Sequence, residues 1–410
     1  MVTPWDVVKM DKDSKPTLLV GASRVKITPE QDVPLAGTGF RRYSTGVNDD
    51  LWARTVVISN NVDTVVITSV DLWGIPYDDV RMLKSQINDM FGIPEDHIFI
   101  CATHTHSAPD IIGFFGGTFD SYIRMKYIGM LREKIIESVL DALKNMKEAQ
   151  GYVAVGRVEN MTVNRRRKGG AVDNSLTVLQ FSSDDENIAT VINFASHPTI
   201  TDAGTKISAD FPGFLCNKVE EELGGVSIFL NGAQGDVEPL VQREGERAAI
   251  YGIAHEYGER LAECVVNILG SKTSLEEGRL RVYSGSLKIP LGNPNLKQMF
   301  TEGVVRRFTV RVRNFLGVET EVSIVDLSGV LAIMLPGEIF ARTGLELKSK
   351  VQGNCIVVCP VNDMLGYFVP EDEYNERLYE ENMCISKYAK TMITGAVLGL
   401  LSKVKGDKVG

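Results

Sequence analysis

His104 and His106 stand one residue apart in the segment FICATHTHSAPD, residues 99–110, of a chain with only five histidines. An apolar run leads into them, so they fall where a strand leaves its sheet. Ligands of α/β proteins collect at such strand ends. In an extended segment side chains alternate faces, which directs both imidazoles to one side. Two imidazoles so placed form a metal-site pattern, or one ligand plus one proton carrier. A pair of solvated loop histidines is the competing reading.

Three further segments repeat the layout. VINFASHPTI ends an apolar run in His197, and SADFPG follows with Asp210 and Gly213. IFLNGAQGDVEP ends in small residues, then Asp236 and Glu238. VLAIMLPGEIF places Glu338 after a Pro-Gly turn, where it is expected to open a helix. A carboxylate at a helix start is also simply a good electrostatic fit.

Other candidates carry less. HEYGER at 255–260 lacks the second histidine of H-E-x-x-H, so His255 reads as structural, and His97 begins a strand. AGTGFRR has no third glycine and no following helix, which excludes a dinucleotide site. There is no G-x-S-x-G or Walker A pattern. The run RRRK at 165–168 reads as solvated, with room for one arginine to serve a site.

The elements that must position these residues alternate between short β-rich runs and longer amphipathic stretches. Strands are expected at 55–60, 63–71, 97–103, 152–158, 176–182, 187–195, 226–232, 280–291, on either side of Ser328-Gly329, and at 355–361. Helices are expected from Asp78 to Gly92, at 120–148, 211–224, 245–269, 295–315 and 338–350, and within 371–403. The pattern predicts an α/β protein with a mixed sheet flanked by helices. It is expected to form a single large domain with a metal site at strand ends. Residues 18–403 make up that domain, with an N-terminal extension at 1–17 and a tail at 404–410.

Composition bounds the function classes. A hydrophobic fraction of 44 % with 24 % charged residues is ordinary for a globular protein. A net charge of -9 argues against nucleic acid or an anionic membrane surface as partner. No apolar run reaches membrane-spanning length and the N-terminus lacks a signal pattern, so a cytoplasmic location is expected. The six cysteines are scattered and read as reduced, mostly buried thiols.

Taken in order, ATHTHSAP, SHPT with SADFPG, NGAQGDVEP, LPGE and GYFVPEDEYNERLYE resemble the N-terminal catalytic domain of neutral/alkaline non-lysosomal ceramidases. VNRRR at 163–167 and VDNSLTVLQF resemble further segments of that family. The resemblance spans about residues 18–403 and implies a zinc-dependent amidase in a short form, without the family's C-terminal immunoglobulin-like domain. It implies one zinc per chain, bound by His104, His197, Glu338 and Tyr367. It places His106, Arg165 and Tyr379 around the scissile amide as catalytic residues. Asp71, at the end of strand 63–71, is a candidate for orienting a ligand imidazole. The implied substrate is a small-molecule or lipid-like N-acyl compound, and the implied setting is sphingolipid metabolism. NRRRK and Glu238 depart from the family pattern, which favours a more polar substrate than ceramide. The rival readings are a metal-dependent esterase, lactonase or phosphoesterase, and a catalytically silent metal-binding homologue.

Overall fold

The computed structural model describes residues 18–407 apart from 38–41, 116–120, 185, 243–248, 277, 303–309 and 313–314. The expected extension at 1–17 lies outside the described residues.

Three β layers share one core. The first holds β1 (Leu18–Lys26), β2 (Trp52–Ser59), β3 (Thr64–Val70) and β4 (Ile98–Ala102). Next in the chain come β5 (Lys147–Arg157), the short β6 (Thr162–Asn164), β7 (Ser175–Ser183), β8 (Glu186–Phe194) and β9 (Val226–Asn231). β10 (Val237–Pro239) pairs with β6, and β11 (Thr273–Ser274) with β5. A short β1–β5 pairing joins the first two layers in the order β4-β3-β2-β1-β5-β7-β8-β9. The third layer, β12 (Leu280–Pro290), β13 (Val310–Val312), β14 (Phe315–Leu327), β15 (Val330–Met334) and β17 (Cys355–Val358), is a separate sheet. β16 (Glu338–Ile339) and β18 (Tyr367–Phe368) form a two-stranded parallel pair beside it.

Alternation along the strands explains the layering. Ile58, Ile67, Leu179, Val191, Leu230, Val325, Ala332 and Val358 point into the shared core. Their sequence neighbours point outward, under helices. Val57 and Val66 lie beneath α1 (Tyr77–Phe91) and α2 (Ser121–Lys144). Val178 and Ile192 lie beneath α3 (Asp210–Leu223) and α4 (Ile250–Leu269). Ile324 and Ile333 pack with α6 (Ala341–Lys348) and α8 (Ala389–Asp407). Strands covered on both faces need near-continuous apolar sequence, and β3 is buried along its whole length. The expected mixed α/β class holds, with parallel pairs at β3–β4, β8–β9 and β15–β17.

The helix expected at 295–315 is corrected. It breaks into α5 (Pro294–Thr301) and the strands β13 and β14. β14 pairs with β12 residue by residue from Gly317 to Leu327, and its valines suit a half-buried sheet better than a helix. The expected helix 338–350 starts later, at Ala341, because the Glu338 backbone N–H donates to Gly366 O at 2.8 Å within the β16–β18 pair. Within 371–403 the helices are α7 (Tyr379–Asn382) and α8, which runs on to Asp407. All six cysteines are free thiols. Among the described residues, no helix is long and apolar enough to cross a membrane.

Candidate metal centre

The strand ends do converge. Past the end of β4, the Thr103 N–H donates to Val70 O and the His104 N–H to Leu72 O, both at 2.9 Å. His104 then takes a left-handed backbone, φ 76, which is uncommon outside glycine. The expectation that an extended backbone aligns His104 with His106 is therefore corrected. The turn at His104 aims the rings, whose centroids are 5.3 Å apart. His197 follows β8, with its ring centroid 4.8 Å from that of His104.

Asn231, at the end of β9, ties these ends together. Its Nδ2 donates to Thr103 O at 3.1 Å and to Ser196 O at 3.0 Å. Its Oδ1 accepts from the Ser196 N–H at 3.3 Å. Asn231→Ala should leave these buried carbonyls without a donor, at a cost of about 1–3 kcal/mol. Chemical denaturation would show that loss, together with weaker metal retention because both histidine loops lose their common tether.

Each ligand candidate has its outer nitrogen fixed. His104 Nδ1 lies 2.6 Å from Trp73 O, and His197 Nδ1 lies 2.9 Å from Gln234 O. A carbonyl only accepts, so both Nδ1 atoms carry the proton and both Nε2 atoms present lone pairs. The two Nε2 atoms are 3.1 Å apart. Glu338 Oε2 sits 3.3 Å from one and 3.1 Å from the other. It is buried with no hydrogen-bond donor among the described residues. Three lone-pair atoms thus crowd together in a dry site, an arrangement that repels itself without a cation. Ligands on one tetrahedral zinc sit about 3.3 Å from each other, given bonds of about 2.0–2.1 Å. The residues therefore fit a divalent ion.

Electrostatics agree. Burial and then the Arg165 charge push His197 down to about 3, keeping it neutral. Tyr367 is drawn beside Glu338 by the parallel β16–β18 pairing, which needs Gly337 at φ 124, since a Cβ there would stand 2.6 Å from Gly366 O. The Tyr367 hydroxyl accepts from Arg165 Nη2 at 3.0 Å. Burial and the Glu338 charge keep this phenol well above its ordinary pKa.

His106, also buried, differs from the two ligand candidates. Its ring centroid is 5.4 Å from that of His197, and neither ring nitrogen has a hydrogen-bond partner among the described residues. Asp202 Oδ2 lies 3.6 Å from His106 Nδ1, beyond hydrogen-bond reach but close enough to bias its charge. Burial lowers the His106 pKa, so the ring is held neutral with a lone pair available. Gly37 lets the chain pass behind it, because a Cβ there would meet the His106 Cβ at 2.6 Å. One grouping by ligand atoms joins His104, His106 and His197, all within 4.8 Å. Glu338 Oε2, outside that group, lies 3.3 Å from His104 Nε2 and 3.1 Å from His197 Nε2.

Arg165 and Tyr379 complete the predicted set. Arg165 donates from Nη2 to Gly235 O at 2.9 Å and from Nε to Glu380 Oε1 at 3.1 Å. Tyr379 is 54 % exposed, with its ring centroid 5.9 Å from that of Tyr367. Asp71 does not orient an imidazole. It accepts from the Trp52 N–H at 2.9 Å and Arg54 Nη1 at 3.1 Å, a buried pair that secures β2. Asp236 accepts from Asn164 Nδ2 and the Ala341 N–H, both at 2.7 Å, and so ties Arg165's neighbour to the start of α6. Glu238 lies half-buried on β10. His255 is exposed beside Glu259, and His97 bonds Thr64 O, as their structural readings require.

Behind the histidine loops lie the buried carboxyl of Asp210 and the half-buried one of Asp49. Asp210 accepts from the Thr201 N–H at 2.8 Å and the Phe211 N–H at 2.7 Å. Asp49 accepts from the Ala209 N–H at 2.7 Å. Burial pushes each up to about 6. A raised carboxyl makes the folded state bind more protons between about pH 4 and 6, so stability falls as pH rises through that window. The stability advantage of wild type over Asp210→Asn should therefore shrink by about 3 kcal/mol from pH 3.5 to 7.5, read from denaturation midpoints.

The geometry has relatives. The sequence profile of the neutral/alkaline non-lysosomal ceramidase N-terminal domain matches residues 18–245. The neutral ceramidase of Pseudomonas aeruginosa is 25 % identical over 255 residues, covering 53 % of this chain and 36 % of that one. The match thus spans about a third of that relative's length. The crystal structure of neutral ceramidase from Pseudomonas aeruginosa superposes with a TM-score of 0.81 at 17 % identity, covering 95 % of this chain and 74 % of the other. A ceramidase complexed with C2 superposes with a TM-score of 0.79 at 16 % identity, over 95 % and 76 % of the two chains. These superpositions share the fold that brings the strand ends together, and the profile covers more than half of the sequence. The chain therefore belongs to the neutral/alkaline non-lysosomal ceramidase family.

Proposed function

We propose that the protein is a metal-dependent amidase that hydrolyses an N-acyl compound, with one zinc held by His104, His197, Glu338 and Tyr367. The observation that carries this reading is the crowding of His104 Nε2, His197 Nε2 and the undonated Glu338 Oε2. A zinc ion in that cradle would lower the pKa of water from 15.7 to about 7 and polarise a carbonyl.

The remaining roles belong to side chains. His106 is the proton carrier: its Nδ1 faces Asp202, which favours the imidazolium once formed, and its Nε2 hands the proton to the leaving nitrogen. Arg165 supplies a fixed positive charge toward the developing oxyanion, held there by Tyr367 and Gly235. Tyr379, at the mouth, offers its phenol to the same oxygen. Trp73 lies beside His104, and Phe114 and, edge to face, Phe115 pack on Trp73, an apolar wall that limits water entry.

Family membership supports an amide as the bond cleaved and a lipid-like N-acyl compound as substrate class. A panel running from N-acetyl amino acids to ceramides, with matched esters and a lactone, tests the reading on zinc-loaded protein. Release of amine from at least one amide, abolished by chelator and restored by zinc, is expected. Turnover of the esters alone would replace amidase by esterase, and no turnover of any member would contradict the catalytic reading.

A further inference from the structure

The run at 165–168 reads as solvated from its sequence, yet the Arg166 side chain is only 9 % exposed. Its Nη1 lies 3.0 Å from Glu381 Oε2 and its Nη2 lies 2.8 Å from Glu381 Oε1, a two-pronged grip on a carboxylate that is 1 % exposed. The same Nη1 is 3.0 Å from Glu380 Oε2, while Glu380 Oε1 accepts from Arg165. The Arg166 guanidinium also lies over the Phe340 ring, 5.1 Å from its centroid, two residues beyond Glu338. Glu381 Oε1 accepts from the Asn375 N–H at 3.0 Å, so one carboxylate both closes the 375–381 loop and docks it on Arg166. Tyr379 sits inside that loop.

Two consecutive arginines thus meet two consecutive glutamates at the edge of the site. Burying four charges is costly unless the geometry is nearly ideal, and only a guanidinium offers the planar fork that matches a carboxylate at two points. The device also has a direction. Glu380 links the arginine that touches Tyr367 to the one that grips the loop carrying Tyr379.

We propose that Arg166 is a positioning residue. By holding Glu380 and Glu381 it fixes segment 371–384 so that Tyr379 stands beside Tyr367 and Arg165 stays turned toward the Tyr367 hydroxyl. Its kinetic consequence rests on the amidase reading; its structural consequence does not.

The test uses full-length, zinc-loaded wild type, Arg166→Lys and Arg166→Met, with hydrogen exchange across 371–384 and kcat and KM on the best amide substrate. Lysine keeps the charge but loses the fork, and it serves if Arg166→Met does not fold. Exchange in 371–384 should quicken about tenfold in Arg166→Lys with the rest of the chain unchanged, since the segment opens locally. Its kcat should fall at least about tenfold with little change in KM or zinc content, because small displacements of catalytic groups are costly. The loss should also be non-additive with Tyr379→Phe. Unchanged exchange overturns the proposal, and so does quickened exchange with unaltered kcat. Quickened exchange in a protein whose wild type cleaves no amide would refute the amidase reading and leave the clamp standing.

Discussion

Glu338→Gln should change the protein in opposite directions with and without metal. In the metal-loaded protein the variant loses the anionic ligand, and metal content should fall to a small fraction of one per chain. Amide turnover should fall about a thousandfold, because the several kcal/mol of charge stabilisation that a bound ion supplies go with it. In the metal-free protein the same change should stabilise the fold. Wild type buries a carboxylate oxygen 3.1 and 3.3 Å from two imidazole lone pairs, with nothing to donate between them. The glutamine amide can donate to those nitrogens, and satisfying a buried polar cluster of this kind is worth about 1–3 kcal/mol. Denaturation of both proteins in chelator reads the sign. A destabilised metal-free variant would mean that a proton, not a metal, holds the three groups together in the native state.

His106→Ala should separate binding from chemistry. Among the described residues the ring makes no hydrogen bond through either nitrogen, so its removal strands no partner there and should cost little stability beyond lost packing. Zinc content should stay near that of wild type, while kcat falls about 10²–10⁴-fold, the range for loss of a positioned proton carrier. Loss of metal in this variant would instead favour the three-histidine grouping, with His106 as a ligand. Retained metal with undiminished turnover would remove its catalytic role.

Much of this site can be read from the chain because its residues sit where strands end. His104, His197 and Glu338 each follow an apolar run, and burial of both sheet faces makes those runs conspicuous. What escapes sequence reasoning is set by non-local contacts. The left-handed turn at His104 depends on carbonyls of residues 72 and 73. Glu338 looks like a helix start, but a strand partner 29 positions later claims its backbone first. The 295–315 segment has helical spacing, yet the pairing of β13 with β14 draws Val310–Val312 into a strand. Arg166 belongs to a run of four cations that resembles a solvated face. Only the fold brings Glu380 and Glu381 against it. Asp202 was available as a signal, five residues after His197, but nothing local shows that it faces His106. Asp71 fails as an orienting carboxylate for the same reason. Its position at a strand end is right for an orienting carboxylate, and its occupation by Arg54 and the Trp52 amide is invisible from sequence.

If His104, His197 and Glu338 form a metal cradle, the purified protein should hold a metal ion. Elemental mass spectrometry of untagged wild-type protein, incubated with zinc and dialysed, tests it most directly. The account predicts about one zinc per chain retained, the stoichiometry of a single four-ligand site. Protein that retains no metal after this treatment would contradict it.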